Sequence, residues 1–182
     1  MRSPSATGRA VQIALEGAAE FGAETEYIDL STLDLPFCDG RVDIESYPEN
    51  VQQFRHLIRG AQGVIIGTPE YHNSMTGALK NAIDLCHWDD FAQKMVGVIG
   101  VAGGAIGAIN AINHTRTVMR GVGAWVVPHQ VSIAHSGKTF DQSLELQEQS
   151  LQDRLHRLGR DVTKFSRLIA AGLIDIDETQ EV

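Results

Sequence analysis

Cysteines, cationic side chains and long apolar runs are all scarce in this sequence, and each scarcity excludes a class of protein. The two cysteines, Cys38 and Cys86, are too few for the disulfide framework of a small secreted domain. The 15 Lys and Arg are outnumbered by 23 Asp and Glu, and the formal charge of -8 argues against a nucleic-acid partner. The longest apolar stretches, such as residues 95–101, are far too short to span a bilayer. We see no secretion signal, and we therefore expect a cytoplasmic protein that binds neither nucleic acid nor membrane.

The histidines give no indication of a metal site or of a hydrolytic centre. All seven lack paired ligand spacing, and the adjacent Cys86 and His87 are too close together for a usual chelate. His135 and Ser136 lack the strand-to-helix setting in which a nucleophilic serine is exposed. We therefore expect no metal, and we assign no catalytic side chain.

The sequence does contain a regular alternation of helix-like and strand-like segments. Its 182 residues, of which 43% are hydrophobic, suffice for one domain with a proper core, and no linker divides residues 1–182. Periodicity predicts helices over residues 7–21, 51–58, 76–85, 104–120 and 141–171. It predicts strands over residues 25–30, 63–68, 95–101 and 124–127, followed at the end of the chain by a loose acidic tail over residues 175–182.

Apolar strands that alternate with helices indicate a parallel sheet covered on both faces. Sheets of this kind bind ligands at the carboxyl ends of their strands, in the loops that lead into helices. Three loops have such positions: residues 1–7 before the first helix, residues 68–80 after one strand, and residues 101–107 after the next. We expect the functional site to be built from these loops.

The first loop, MRSPSAT, carries groups that could hold a phosphate. Arg2 offers a planar fork of donors, while Ser5 and Thr7 can cap the helix and donate outward from their hydroxyls. The first N–H groups of the helix are also free, and a helix N-terminus favours an anion. Taken alone, this loop is also explained by an ordinary helix cap.

The second loop, TPEYHNSMTGALK, is more polar and aromatic than a connection at the end of a buried strand requires. Its backbone groups could hydrogen-bond a flat heteroaromatic ring, with Pro69 setting the entry angle and Tyr71 supplying an apolar edge contact. The alternative is a plain connection whose tyrosine packs on the surface. The candidate residues of this loop are Pro69, Glu70, Tyr71, His72 and Asn73.

The third loop, VAGGAIG, contains the glycine pair Gly103 and Gly104. Paired glycines let a backbone approach a ligand closely, and the start of the following helix favours negative charge. The loop does not form the dinucleotide fingerprint, which belongs after the first strand of a sheet. Tight turn chemistry alone is the alternative explanation.

Residues 68–84, TPEYHNSMTGALKNAID, resemble the NADPH-dependent FMN reductase family, in which the loop reads close to P-E-Y-N-x-S-x-x-G-x-L-K-N-A-I-D. The start of the chain is similar to the family's phosphate motif G-S-x-R-x-x-S, with Arg2 and Ser5 on its Arg and its last Ser. The later elements follow the family order to about Val131. His72 departs from the pattern, because many relatives carry Asn there.

The resemblance implies a flavodoxin-like α/β fold, a doubly wound parallel sheet of five strands in the order 2-1-3-4-5. The family's first strand and its leading Gly-Ser have no counterpart here, so we expect the first strand to be missing and the working protein to extend upstream of Met1. The resemblance also implies bound FMN. Its phosphate would lie near Arg2, Ser5 and Thr7, and its ring would rest on residues 69–73 and on Gly103 and Gly104.

The same resemblance implies a ping-pong reaction in which NADPH or NADH gives hydride to the flavin, leaves, and is replaced by a small acceptor. The acceptor could be free flavin, a quinone, an azo compound or a metal oxyanion. A homodimer or homotetramer is implied as well. Two other functions stay open: a flavodoxin-type electron carrier without NAD(P)H activity, and a cofactor-free remnant.

Overall fold

Three parallel strands form the central sheet of the computed structural model, which describes residues 5–174. The strands β1 (Gly63–Pro69), β2 (Met95–Val101) and β3 (Trp125–Ile133) lie in the order β1-β2-β3. Every residue of β2 is buried, as expected for an unbroken apolar strand covered on both faces. The strands predicted over residues 63–68 and 95–101 are thereby confirmed.

Helices cover both faces of this sheet. One face carries α1 (Ala6–Glu20) and α7 (Gln149–Ala170); the other carries α2 (Glu49–Gly60), α3 (Gly77–Asp84), α4 (Trp88–Phe91) and α5 (Ile109–Gly121). A single turn, α6 (Ser136–Thr139), follows β3, and 3-10 turns lie at Leu30–Thr32 and Ile44–Ser46. The layers confirm the predicted α/β class, and α1, α2 and α3 begin and end within two residues of their predicted limits.

Glycines bring α1 and α7 into close contact on their shared face of the sheet. A Cβ placed on Gly17 would lie 2.5 Å from the His156 carbonyl oxygen, and one placed on Gly159 would overlap the Ala14 carbonyl oxygen. The helices therefore approach backbone to backbone at these points. The apolar side chains that they pack against the sheet include Ile13, Leu155 and Leu158, which join Ile99 and Val131 in one core.

Residues 25–30 do not form the predicted strand. Residues 23–29 have no regular secondary structure, and the turn Leu30–Thr32 is capped by Asp29, which accepts a hydrogen bond from the Ser31 N–H at 2.8 Å. A strand requires a hydrogen-bonded neighbour, and β1 is paired with β2 alone within the described residues. The described sheet therefore has three strands, where the resemblance implies five.

Two predicted helices begin later than their sequence periodicity suggests. The helix α5 begins at Ile109 and not at residue 104, because the preceding glycine-rich segment is a loop in which Gly107 has a φ of 77°. The helix α7 begins at Gln149 and not at residue 141. There the Asp141 carboxylate accepts hydrogen bonds from backbone N–H groups two and four residues later, which stabilises a turn instead.

The last strand is longer than predicted, because β3 continues past residue 127 to Ile133. Its apolar run is interrupted by Pro128 and His129, so hydrophobicity alone predicts a strand that ends at residue 127. Pro128 lies where the pairing with β2 shifts in register, and proline is tolerated at such irregularities and on edge strands.

Arg2 and the predicted tail at residues 175–182 lie outside the described residues. Within the described residues, no helix has the length and apolarity needed to cross a membrane.

Candidate functional site

A cleft of about 1830 Å³ opens at the carboxyl edge of the sheet and continues along the free side of β1. Because the carboxyl ends of parallel strands meet at one edge, the three predicted loops come together here. The candidate residues that line the cleft are Ser5, Thr7, Pro69, Glu70, Tyr71 and Gly103. His72, Asn73 and Gly104 belong to the same loops without lining the cleft, and the structure does not describe Arg2.

The start of α1 forms one wall of this cleft. Ser5 is the N-cap, and its Oγ accepts a hydrogen bond from the Gly8 N–H at 3.1 Å, so that its hydroxyl proton is still free to donate. Thr7 lies in the first turn, where backbone N–H groups have no acceptor within the helix. The helix cap therefore leaves the Ser5 hydroxyl proton and N–H groups of the first turn that could donate to an anion.

Tyr27, which the sequence reasoning did not select, lies beside the same helix start. A Cβ placed on Gly8 would lie 2.5 Å from the Tyr27 hydroxyl oxygen, so a side chain at this position would displace that hydroxyl. Burial, with a smaller contribution from the charge of Asp29, raises the pKa of Tyr27 and keeps its hydroxyl protonated. The only sequence signal was a tyrosine in a segment that resembles a strand, where tyrosine is common.

The loop after β1 makes a tight turn over His72 and Asn73. The Tyr71 N–H donates to the Ser74 carbonyl at 3.0 Å, and the Ser74 N–H donates to the Tyr71 carbonyl at 3.1 Å. His72 and Asn73 have φ values of 51° and 62°, as in two-residue turns with positive φ at both central positions. Their own N–H groups take no part in these two bonds. Since His, like Asn, enters the left-handed region more readily than most residues, the departure at His72 preserves the turn.

Hydrogen bonds at both ends hold this loop to the scaffold. At its start, the Glu70 N–H donates to the Val101 carbonyl at 2.8 Å, and the Glu70 Oε2 accepts from the Ala111 N–H at 2.9 Å. At its end, the fully buried Thr68 hydroxyl accepts from the Thr76 N–H at 3.2 Å. The tip remains accessible, because the Tyr71 side chain is 58% exposed.

The glycine pair after β2 leaves open space at the cleft. Apart from the adjacent residues, no atom of residues 5–174 lies within 4 Å of a Cβ placed on Gly103 or on Gly104. The loop is nevertheless anchored, because the Ala102 N–H donates to the Ile133 carbonyl at 2.8 Å and the His135 N–H donates to the Gly104 carbonyl at 3.1 Å. A side chain at Gly103 would occupy the space that a flat ring could fill beside the turn after β1. The open space at the glycine pair and the donors at the start of α1 are compatible with an aromatic ligand that carries a phosphate group.

A fourth segment lines the cleft that the sequence reasoning did not predict. Its lining residues are Ser136, Gly137 and Lys138, in the turn α6 after β3. Lys138 brings a positive charge to an otherwise acidic chain, which favours an anionic ligand. The sequence could have indicated this segment only by its place after the third strand. It was missed because the predicted strand ended at residue 127 and β3 ends at Ile133.

Three polar residues of the motif, which lie on α3, do not line the cleft. The Asn81 side chain accepts from the Cys38 N–H at 2.9 Å and donates to the Pro36 carbonyl at 2.8 Å, which fixes a long loop to α3. Lys80 and Asp84 form an ion pair at 2.6 Å on the exposed surface of the same helix. These residues support the loop and make no contact in the cleft.

One histidine, His114, forms a hydrogen bond to the turn after β1. His114 Nδ1 lies 2.9 Å from the Ser74 Oγ, so this contact joins α5 to the end of the turn. Across residues 5–174, no group of three or more His, Cys, Asp or Glu side chains is placed to hold a metal ion.

Comparison with known sequences agrees with the resemblance seen in the motif. Residues 1–138 match the NADPH-dependent FMN reductase family. An NADPH azoreductase of Bacillus sp. (strain OY1-2) is 35% identical over 162 residues, which cover 89% of this chain and 85% of that protein. An FMN-dependent NADPH-azoreductase of Staphylococcus aureus (strain USA300) is 31% identical over 147 residues, which cover 78% of each chain.

Solved structures support the fold. A flavoenzyme NAD(P)H:(acceptor) oxidoreductase from Paracoccus denitrificans (FerB) superposes with a TM-score of 0.73, at 23% identity, over 92% of both chains. A flavodoxin from the domain Archaea superposes with a TM-score of 0.63, at 15% identity, over 91% of this chain and 94% of its own. At these identities the likeness shows the fold alone, and it confirms a flavodoxin-like arrangement.

Proposed function

This chain belongs to the NADPH-dependent FMN reductase family, and from that premise we propose that it is an NAD(P)H-dependent, FMN-containing oxidoreductase with a small-molecule acceptor. FMN is the cofactor and NADPH the electron donor, in keeping with the names of the family and of its azoreductase relatives. The observation that carries the proposal is the convergence of the α1 start, the turn after β1 and the open glycine pair after β2 on one cleft.

The phosphate of FMN is proposed to bind at the start of α1. Ser5 and Thr7 supply hydroxyls there, and the N–H groups of the first turn supply backbone donors. Arg2 belongs to the same proposed site by its position in the sequence motif. Lys138, which also lines the cleft, adds a charge of the sign that a phosphate requires.

The flavin ring is proposed to rest between the two loops that follow β1 and β2. Pro69, Glu70, Tyr71, His72 and Asn73 supply one side, and Gly103 and Gly104 supply the other. When bound, FMN supplies the two-electron chemistry that links the nicotinamide to the acceptor. The protein's part is to orient the ring, to exclude water from one face and to aim backbone N–H groups at the edge where negative charge develops. No side chain in the cleft is required as an acid or a base.

For the sheet, we assign β1, β2 and β3 to the third, fourth and fifth positions of the order 2-1-3-4-5. The cleft beside β1 then corresponds to the place of strand 1, which is next to strand 3 in this order. We further propose a cytoplasmic homodimer or homotetramer, because Trp88 and Trp125 are each 53% exposed and large exposed aromatic side chains are typical of interfaces.

An azo compound is the proposed acceptor to test first, because two relatives are named as azoreductases. Steady-state oxidation of NADPH is measured with FMN-loaded protein while the azo dye is varied, and then with a quinone, a metal oxyanion and free FMN. A ping-pong order predicts parallel lines in double-reciprocal plots. If NADPH is consumed only when a redox partner protein is added, the electron-carrier function replaces this proposal.

A further inference from the structure

The outer face of α7 is basic, although the chain as a whole is acidic. Its exposed side chains include five of the 15 Lys and Arg, namely Arg154, Arg157, Arg160, Lys164 and Arg167. Spacings of three or four residues place these side chains on one face of the helix, opposite the buried Leu155 and Leu158. With five positive and two negative side chains, α7 has a formal charge of +3, whereas the chain has -8.

The neighbouring helix α1 presents the opposite charge. The exposed glutamates of α1 and of the residues that follow it are Glu16, Glu20, Glu24 and Glu26. The two helices lie side by side, because His156 Nδ1 is 3.1 Å from the Glu20 Oε2 and the Arg167 Nη1 donates to the Phe21 carbonyl at 2.9 Å. The outer surface of this helical layer, which we call the α1–α7 surface, therefore has an acidic half and a basic half.

Most charges of the α1–α7 surface have no counterpart within the described residues. Glu16 pairs with Arg9 at 2.7 Å, and Arg157 pairs with Asp161 at 3.6 Å. Across residues 5–174, the charged side chains of the surface without an ion-pair partner are Arg154, Arg160, Lys164, Arg167, Glu24 and Glu26. A surface with unpaired charges of both signs is complementary to another surface of the same kind.

Symmetry decides which halves meet when two copies face each other. The helices run in the same direction, because Gly17 lies against the His156 backbone. Further along both helices, Phe21 lies against Arg167. A two-fold axis along the groove between α1 and α7 places α7 of each copy over α1 of the other. A two-fold axis across the helices would place α7 over α7, and like charges would then oppose each other.

We propose that the α1–α7 surface binds a second copy of this chain about a two-fold axis parallel to the two helices. A two-fold rotation preserves the level along its axis, so Glu20 of one protomer meets Arg160 and Lys164 of its partner. Phe21 and Leu173, which are 42% and 73% exposed at the ends of α1 and α7, add apolar area to a largely polar contact.

A second copy fits this surface better than other anionic partners do. An anionic membrane or a nucleic acid would bring negative charge onto the glutamates of α1 as well as onto α7, and the net charge of -8 opposes both. The inference does not rest on FMN binding. It also concerns a different contact from the one proposed through Trp88, because α4 lies on the other face of the sheet.

Two double variants and their mixture test the pairing of the halves. Arg160→Glu with Lys164→Glu makes the basic half acidic, and Glu20→Lys with Glu24→Lys makes the acidic half basic. Each variant alone opposes like charges across the axis, whereas a pair formed by one copy of each variant restores both contacts. Lys80→Glu, an exposed change of the same charge on α3, is the matched control.

Sedimentation velocity of FMN-free protein over a range of concentrations measures the association. We expect the natural protein and Lys80→Glu to double in mass as concentration rises, and each double variant to need about tenfold or more protein to do so. The equimolar mixture should associate as the natural protein does. Because salt screens exposed charges, the natural association should weaken about tenfold or more between about 50 and about 500 mM NaCl. Since all the changed side chains are exposed, the urea midpoints should stay near that of the natural protein.

Association of either double variant at the natural concentration would overturn the proposal, as would a mixture that does not associate or an association that salt leaves unchanged. Vesicles that contain phosphatidylserine and a short DNA duplex are tested in parallel. Binding of either one that is lost in Arg160→Glu with Lys164→Glu, without self-association of the natural protein, would assign the basic half to that ligand and overturn the proposal. Retention of FMN is measured on separate samples, so failure of the oxidoreductase proposal is distinguishable from failure of this one.

Discussion

The Glu70 carboxylate accepts a hydrogen bond from the backbone N–H of Ala111 at 2.9 Å, which ties the loop after β1 to the first turn of α5. The bond joins the loop after β1 to the helix that follows the glycine-rich loop, 41 residues further along the chain. A carboxylate at a helix N-terminus is also favoured by the helix dipole. Glu70 is therefore a positioning residue for the turn at His72 and Asn73.

Removal of this bond is expected to loosen the turn. Glu70→Ala should lower the free energy of unfolding by about 1 kcal/mol, the usual cost of a lost helix cap, and should raise the Kd for FMN about fivefold. Glu70→Gln keeps an acceptor oxygen and should lose about half as much. Urea unfolding and FMN titration measure the two effects. Equal losses in both variants would show that the carboxylate charge alone matters and that the acceptor geometry does not.

The glycine contact between α1 and α7 provides a test of packing. Gly159→Ala would place a methyl group against the Ala14 carbonyl and 2.7 Å from the Ala18 N, and should destabilise the protein by about 3 kcal/mol. Gly121→Ala is the matched control, because no described atom beyond its own helix lies within 4 Å of the new Cβ, and it should be neutral or slightly stabilising. Urea unfolding of both variants checks this. A loss of stability that is the same in both variants would contradict the close approach of the two helices.

A buried ion pair and an exposed ion pair should differ strongly in their contribution to the free energy of unfolding. Asp90 is fully buried and accepts from the Arg55 Nε at 2.9 Å, while Arg55 is itself 2% exposed. Asp90→Ala leaves the Arg55 charge buried without this partner and should cost about 3–5 kcal/mol. Lys80→Ala breaks only an exposed pair with Asp84 and should cost less than about 0.5 kcal/mol. Thermal unfolding distinguishes the two cases, and comparable losses would be inconsistent with the burial of Asp90.

The two thiols should differ in reactivity. Burial, with the nearby charge of Asp90, raises the pKa of Cys86 to about 12, so this thiol stays protonated and should react slowly with a chromogenic disulfide reagent near neutral pH. We expect one fast thiol, which Cys38→Ser removes and Cys86→Ser does not. Because the folded pKa lies above the unfolded one, the stability contributed by the neutral Cys86 thiol is present below about pH 8.5 and lost as the pH rises towards 12. Loss of the fast phase in Cys86→Ser would contradict this account.

The buried centre of the fold was predictable from the sequence, and its edges were not. β2 was recognised because a strand covered on both faces must be apolar throughout. β3 was recognised only in part, since an edge strand tolerates Pro128 and His129. Residues 25–30 alternate as a strand does, but a strand exists only with a hydrogen-bonded neighbour, and alternation carries no information about that neighbour.

The candidate site was predictable where a loop has unusual chemistry for its position. The polar turn at His72 and Asn73 and the pair Gly103 and Gly104 differ visibly from what a simple connection requires. Tyr27 and Lys138 were missed because each is an ordinary residue for its local segment. Only the folded chain brings them to the cleft, through contacts that are distant in sequence.

The most direct test of FMN binding at this cleft is an absorbance spectrum recorded after the protein is mixed with FMN and desalted, followed by addition of NADPH without oxygen. The natural protein should retain a flavin band that NADPH bleaches rapidly. At Gly103 a Cβ meets no described atom within 4 Å beyond the adjacent residues. We therefore expect Gly103→Leu to keep the free energy of unfolding of the natural protein but to bind FMN about tenfold or more weakly, while Gly121→Leu should bind FMN as the natural protein does. A band retained equally by all three proteins would contradict the assigned cleft, and a natural protein left colourless would contradict FMN binding by this chain.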